Sequence, residues 1–349
     1  MNSKTALDRI INKSRVHLYK PIQIAEILYH HRTEGGIQPS DIESYRNISK
    51  RWRDDISLRL VGRKSTSSQK FQDNLFESNA MPPKLLDELS KFNKKHKGAA
   101  EAYIYYKLKE RLDLIFNLFQ HLKKSTPDSF TLKEFLSMFV ETSGLRRSVD
   151  KAYEIVVYAL FSAIVRELRV EINMSIKNTN KELMKDFEPF IQKVLGMSKN
   201  KKSVTIPAQL YRVGVANAAD RGLDMLANFG SAIQVKHITL SEEIAEEAAG
   251  EILSDKIVLV CLDAEKETIR KITKQLDIGK RIHSIITSSD LEEWYVLCLS
   301  RKYREKLGKN LLKDLQREFA FEFPTISEIG DFIKDRGYDK ISLEGEWKV

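Results

Sequence analysis

Three side chains in one short stretch have the types and spacing for chemistry on a phosphodiester. The segment Arg221-Gly222-Leu223-Asp224-Met225-Leu226-Ala227-Asn228-Phe229-Gly230-Ser231-Ala232-Ile233-Gln234-Val235-Lys236 sets two β-prone runs around the turn formers Asn228 and Gly230. A hairpin folded about Phe229 puts Asp224 opposite Gln234. Side chains alternate along a strand, so one face carries Leu223, Met225, Ile233 and Val235. The other carries Asp224, Gln234 and Lys236, with Leu226 and Ala232 nearer the turn. The first face suits a core. The second gathers a carboxylate, an amide oxygen and an ammonium.

That set suits metal-assisted phosphodiester cleavage. The Asp224 carboxylate binds Mg²⁺, a hard cation that prefers oxygen, and the Gln234 amide and the Val235 backbone carbonyl add oxygens. Such a metal polarises the phosphoryl group and lowers the pKa of a bound water. Lys236 orients or activates that water, or stabilises transition-state charge. A neighbouring acid improves metal binding, and Glu154 is the candidate, as the only charged residue between Lys151 and Arg166. Asp220 is an alternative to Asp224, four residues earlier on the same strand face. Read without function, Asp224 ends a strand, Gln234 and Lys236 line a solvated edge, and Glu154 is a helix-surface residue. His237 falls on the apolar parity and reads as a packed histidine. No pair of the 7 histidines has HxxH spacing.

Glu154 needs a helix and the hairpin needs a sheet. Residues 149–168 read as a strongly apolar helix, 169–174 as a short strand and 181–195 as a helix. Strand-like runs follow at 209–215, 222–226, 232–238, 256–262 and 294–299, with helices at 241–253 and 265–276 between the later ones. Strands joined first by a tight turn and then by helices predict an α/β (α+β) fold, a mixed β-sheet flanked by helices. The first half reads as helices, over 6–12, 22–29, 84–92, 99–122 and 131–140, with a cap at Ser40-Asp41-Ile42-Glu43 before another. Residues 198–204 read as a basic break, and 301–349 return to helix.

The chain has 349 residues, 42% hydrophobic and 31% charged, which fits a folded protein with a large core. The longest uncharged apolar run, 155–165, is too short for a bilayer. The N-terminus has no apolar signal region. Cys261 and Cys298 sit in strand-like apolar runs and read as buried, reduced thiols of a cytoplasmic protein. No glycine-rich phosphate loop is present, which argues against a nucleotide-dependent metabolic enzyme.

The net charge is +9, and residues 1–150 carry all of it, with 27 Lys and Arg against 18 Asp and Glu. The remainder is balanced, 31 against 31. A basic half beside a neutral half suggests a polyanion-binding region, so we expect 1–145 to be a mainly helical DNA-recognition region and 146–349 the catalytic domain. Residues 44–71 concentrate eight basic residues against two acids, interleaved with Tyr45 and Trp52. Arg51, Arg53, Arg63 and Lys64 are the expected DNA contacts. Arg51 and Arg53 cannot share a helix face, so some of these side chains contact phosphates and others fold back to acids. Thr66, Ser67 and Ser68 suggest a backbone-clamping loop, and Lys280 with Arg281 a lesser patch.

The pattern of Asp224, nine residues, Gln234-Val235-Lys236, after a helix bearing Glu154, resembles the PD-(D/E)XK nuclease superfamily, whose core runs αβββαβ. More broadly, the opening LDRIINKSRVHLYKPIQIAEILY and the segment NAADRGLDMLANFGSAIQVKH resemble type II restriction endonucleases of the HaeII group, and the likeness spans most of the chain. The resemblance implies a Mg²⁺-dependent enzyme that cuts double-stranded DNA at a short palindrome, purine-GCGC-pyrimidine for that group. A palindrome implies a two-fold homodimer, and such systems include a cognate DNA methyltransferase. By position, Asp224 takes the metal-binding Asp, Gln234 the acidic slot, Lys236 the lysine and Glu154 the helix acid. Gln234 departs from the pattern, since it offers oxygen without negative charge. That departure sustains one alternative, a non-catalytic DNA-binding protein on a degenerate nuclease core; a third class is a nuclease acting on RNA, branched DNA or recombination intermediates.

Overall fold

Helix formation in the N-terminal half follows local signals. The Asn2 side chain accepts from Thr5 N at the start of α1 (Ser3–Lys13), and Pro21 sits in the first turn of α2 (Tyr19–Thr33). α3 (Ile48–Val61) ends at Gly62, whose φ of 71° suits a residue without Cβ. α4 (Pro83–Lys95), the long α5 (Ala99–Lys124), α6 (Leu132–Glu141) and α7 (Val149–Glu167) follow. The computed structural model describes residues 2–65, 75–76, 80–213, 223–252, 254, 256–265, 268, 271, 281–323 and 328–349.

The chain divides into two units, Met1–Val156 with Leu312–Val349, and Val157–Gly214 with Asp220–Leu311. In the first unit α2 is the central helix, with every residue from Pro21 to Leu28 buried. A helix covered on all sides carries polar residues only where they are paired, and α2 buries Gln23 and Glu26. Around it pack Leu7, Tyr45, Leu89 and Tyr105, together with Phe332, Tyr338 and Trp347 from the C-terminal end.

The placement of 312–349 differs from the sequence expectation, which assigns it to the catalytic region. The reason is a pair of buried carboxylates. Glu26 accepts from Tyr105 OH at 2.5 Å and from Arg336 Nη2 at 3.1 Å. Glu101 accepts from Arg32 Nε at 2.9 Å, Asn93 Nδ2 at 2.6 Å and Tyr338 OH at 2.8 Å. A buried charge without partners is costly, so Arg336 and Tyr338 are required where they lie. Burial raises the Glu26 pKa against the opposing pull of Arg336 and Tyr105.

His17, also buried in this unit, lies with its ring 5.5 Å from that of Tyr19 and 6.3 Å from that of Phe323. Burial, helped by the Arg63 charge, pulls its pKa down to about 4. The unfolded chain takes this proton near 6.5, so between pH 6.5 and 4 the unfolded state holds more protons. Stability is therefore full above pH 6.5 and falls as the pH drops toward 4, by up to about 3 kcal/mol. Urea melts of wild type and His17→Leu across this range check it: the variant should lose that part of the slope, and parallel curves would contradict the assignment.

The second unit carries two sheets. β1 (Glu171–Ser175) pairs antiparallel with β2 (Ser203–Pro207), and between them lie α8 (Lys181–Asp186) and α9 (Glu188–Leu195). The expected basic break thus runs into a strand, and the single expected helix over 181–195 is two, with Pro189 in the first turn of the second. The main sheet has five strands in chain order: β3 (Leu210–Arg212), β4 (Met225–Ala227), β5 (Ala232–Val235), β6 (Ile257–Val260) and β7 (Ile282–Ile286). The first three pair antiparallel and the last three parallel, and α10 (Glu242–Glu251) links β5 to β6. The order helix, three strands, helix, strand is the expected one.

One expected strand is a helix. Residues 294–299 lie in α11 (Ser288–Leu299), which opens with a capping box between Thr287 and Asp290, and the fifth strand is β7. The apolar run there fits strand or helix equally, and the cap upstream decides it. Cys298 is therefore on a helix, while Cys261 follows β6. Both are buried thiols outside any disulfide among the described residues, and burial pushes both up to about 11. The expected helix over 265–276 lies largely outside the described residues. α12 (Lys309–Glu322) and α13 (Ile329–Asp335) complete the chain. Among the described residues no helix is long and apolar enough to cross a membrane.

Candidate active site

The β4–β5 hairpin has the register expected from its sequence. Met225 pairs with Ile233 and Leu226 with Ala232, which sets Asp224 across from Gln234. The turn is a three-residue loop closed by Gly230 N donating to Ala227 O at 3.0 Å, and Gly230 adopts φ 96°, the left-handed position that such loops require. Asn228 anchors the loop from outside: its Oδ1 accepts from Gln209 N at 2.8 Å and its Nδ2 donates to Pro207 O at 3.1 Å.

At Asp224 the ladder changes partner. The Val235 amide donates to Asp224 Oδ2 at 2.8 Å, a bond that a strand carbonyl would ordinarily accept. This contact fixes the carboxylate against β5, beside Gln234 in the register. Asp224 is half-buried. Lys236, also half-buried, gives its amide to Val260 O at 2.8 Å, and its ammonium has no partner among the described residues.

Gln234 is the unusual member. It is fully buried, yet neither Oε1 nor Nε2 has a hydrogen-bond partner among the described residues. The cause is its place in the sheet. β5 is the central strand, and all four of its residues are buried. Parallel pairing sets Gln234 beside Leu259, and Ala232 with Ile257, Leu259 and Cys261 packs on Ala245 and Ile252 of the α10 region. The face expected to be polar is thus packed too, because a strand paired in parallel is covered on both sides. An amide left unfilled there costs about 1–3 kcal/mol.

These residues fit a hard divalent cation. A carboxylate and an uncommitted amide oxygen come from facing strand positions, and oxygen donors are what Mg²⁺ takes. The set carries one negative charge. Among the described residues, no group of three or more His, Cys, Asp or Glu side chains is placed to hold a metal. Val235 contributes its amide to Asp224. Glu154 belongs to the first unit and Asp224, Gln234 and Lys236 to the second. Both Glu154 oxygens face Lys151 Nζ, at 2.6 and 2.7 Å. Asp220 lies outside the described residues. His237 is half-buried and engaged, as a packed histidine would be.

The four expected DNA contacts separate into two kinds, all within the first unit. Arg51 and Lys64 are exposed and have no partner among the described residues. Arg53 is turned inward: its Nε and Nη2 donate to Asp54 Oδ1 at 2.9 and 2.7 Å, and Nη1 to Gln23 Oε1 at 3.2 Å. It holds α3 against α2 rather than presenting a charge. Arg63 Nη1 donates to Glu322 O at 3.0 Å and meets Glu322 Oε1 at 3.4 Å. The two-residue offset of Arg51 and Arg53 on α3 is the physical reason one is outside and one inside. Thr66, Ser67, Ser68 and Lys280 lie outside the described residues. Arg281 donates to the carbonyls of Ile252 and Ser254, so it braces the segment after α10.

A family model described as HaeII restriction endonuclease matches residues 3–338. The Type II restriction enzyme HaeII of Haemophilus aegyptius is 46% identical over 340 residues, covering 97% of this chain and 97% of that protein. The Type II restriction enzyme NgoBI of Neisseria gonorrhoeae is also 46% identical over 340 residues, covering 97% and 96%. No solved structure matches the chain at a significant level.

Proposed function

Because the chain belongs to the HaeII restriction endonuclease family, we propose that it cuts double-stranded DNA at a short GC-rich palindrome of the purine-GCGC-pyrimidine kind, with Mg²⁺, through a PD-(D/E)XK-type site at the β4–β5 hairpin. The observation that carries the site is the Asp224 carboxylate held by the Val235 amide and set across from the Gln234 amide, neither end of which has a partner among the described residues. Asp224 and Gln234 hold the metal. When bound, Mg²⁺ would lower the pKa of a water so that it loses its proton and can attack phosphorus, and would supply positive charge for the phosphoryl oxygens. Asp224 accepts the Val235 amide, so its carboxylate is preset and needs no reorganisation. Lys236, two residues beyond Gln234 on the same strand parity, holds its ammonium toward the scissile phosphate and stabilises the added charge. Arg51 and Lys64 contact backbone phosphates, which gives affinity without sequence.

A palindrome read by two identical chains calls for a homodimer with one site per strand. A methyltransferase of the same specificity is the functional partner that protects host DNA. The charge-poor slot at Gln234 favours one second reading, a binding protein that recognises the site without cutting. Digesting a long DNA of known sequence with and without Mg²⁺, then sequencing the ends, separates the two. Discrete ends at one recurring palindrome, only with Mg²⁺, are expected. Specific retention of that DNA with no new ends across divalent metals would select the second reading instead.

A further inference from the structure

α8 and α9 are more apolar than their surroundings need. Hydrogen bonds run through the junction between them, Phe187 N to Leu183 O at 3.1 Å and Ile191 N to Phe187 O at 3.0 Å, so the two helices continue one turn pattern. Met184 and Ile191 face inward and form a small core with Met197, Ile176 and Val204. At about 100° per residue, Ile191 lies only about 20° from Met184 around the helix. Leu183, Phe187, Phe190 and Val194 fall in an arc roughly 60–120° to one side, still continuous with the inward face. None of these four is covered: they are 41%, 55%, 54% and 63% exposed.

We infer that this stripe is the contact surface for a second copy of the chain. The spacing is its own complement. About a two-fold axis between residues 188 and 189, antiparallel packing sets Leu183 of one copy on Val194 of the other and Phe187 on Phe190. The flanking charges agree with that occupant. The segment 181–195 carries Lys181, Lys185 and Lys193 against Glu182, Asp186 and Glu188, three of each sign, so a copy meets no net repulsion. A lipid surface would instead select a cationic flank, and nucleic acid a basic stripe without phenylalanine at its centre. The four side chains alone supply roughly half of the ~800 Å² per partner in a standard interface. Leu195, 37% exposed, and the stems of the flanking lysines extend it. The inference gives the homodimer of the nuclease reading a surface. It rests on that reading for its purpose and not for the association itself.

Sedimentation without DNA tests it. The wild-type chain should sediment at twice its 40.3 kDa mass at micromolar concentration. Leu183→Lys/Val194→Lys and Phe187→Lys/Phe190→Lys should each sediment as single chains, with circular dichroism unchanged, since the replaced side chains are exposed in the chain, and with a melting midpoint that no longer depends on protein concentration. Leu183→Cys/Val194→Cys adds a direct readout. Eleven residues along a helix put the two thiols about 16 Å apart within one chain, too far for a disulfide, so oxidation can join them only between copies. Cys261 and Cys298 are buried and do not compete. A single-chain wild type, or lysine variants that still pair and cysteines that never cross-link, would overturn the surface. A dimer that cuts no DNA would leave the surface standing and sink the nuclease reading, and a single chain that cuts would do the reverse.

Discussion

Gln234→Leu is expected to fold more stably than wild type, by about 2 kcal/mol without metal, and to cut DNA at least ~100-fold more slowly. The two effects share one origin. In the native chain a side-chain amide sits fully buried with neither end hydrogen-bonded among the described residues. Folding removes it from water and returns nothing. Leucine has similar volume and no polar atom, so it suits a position beside Leu259 on a covered strand. Stability that rises while activity falls is the signature of a residue kept for chemistry rather than for folding. Urea denaturation in chelator, run beside initial cleavage rates in Mg²⁺, reads both quantities on one preparation. If the variant were less stable and equally active, Gln234 would be an ordinary packing residue, and the cation would lie elsewhere.

Lys236→Ala is expected to reduce the cleavage rate by about 10²–10³, with specific binding in the absence of Mg²⁺ little changed. Its ammonium has no partner among the described residues, so its removal breaks no ion pair there. Its backbone amide, which donates to Val260 O, is kept by alanine, so β5 holds its pairing with β6. The charge is thus separable from the fold, which makes the comparison clean. Binding by gel shift in chelator and single-turnover cleavage in Mg²⁺ give the split. A loss of binding as large as the loss of rate would place Lys236 among the phosphate-holding residues instead.

The site's register was legible because turn chemistry and alternation are both local. Asn228 and Gly230 fix where the chain reverses, and the pairing of Met225 with Ile233 follows from them. The split between Arg51 and Arg53 was legible for the same reason, since helical offset is a property of two neighbouring residues. What escaped were consequences of partners distant in sequence. The helix read between 232–238 and 256–262 points to a parallel pair, but nothing near Gln234 reveals that packing closes its second face. Nothing near Arg63 announces Glu322, which binds it. The 294–299 run misled because four or five apolar residues suit either element, and the deciding cap, Thr287 with Asp290, lies upstream. The grouping of 312–349 with the first unit rests on Glu26 and Glu101, two buried carboxylates whose C-terminal partners lie more than two hundred residues away.

Those two carboxylates also bear on the order of events during synthesis. Glu26 leaves the ribosome 310 residues before Arg336, which neutralises it, and Glu101 leaves it 237 residues before Tyr338, which donates to it. Until then the helical unit has a hole where α13 belongs, and the two acids keep only their early partners, Tyr105 for Glu26 and Arg32 with Asn93 for Glu101. A chain that stops short of Arg336 is therefore left without a finished N-terminal unit, and a cell making a restriction endonuclease is spared partial products that could act.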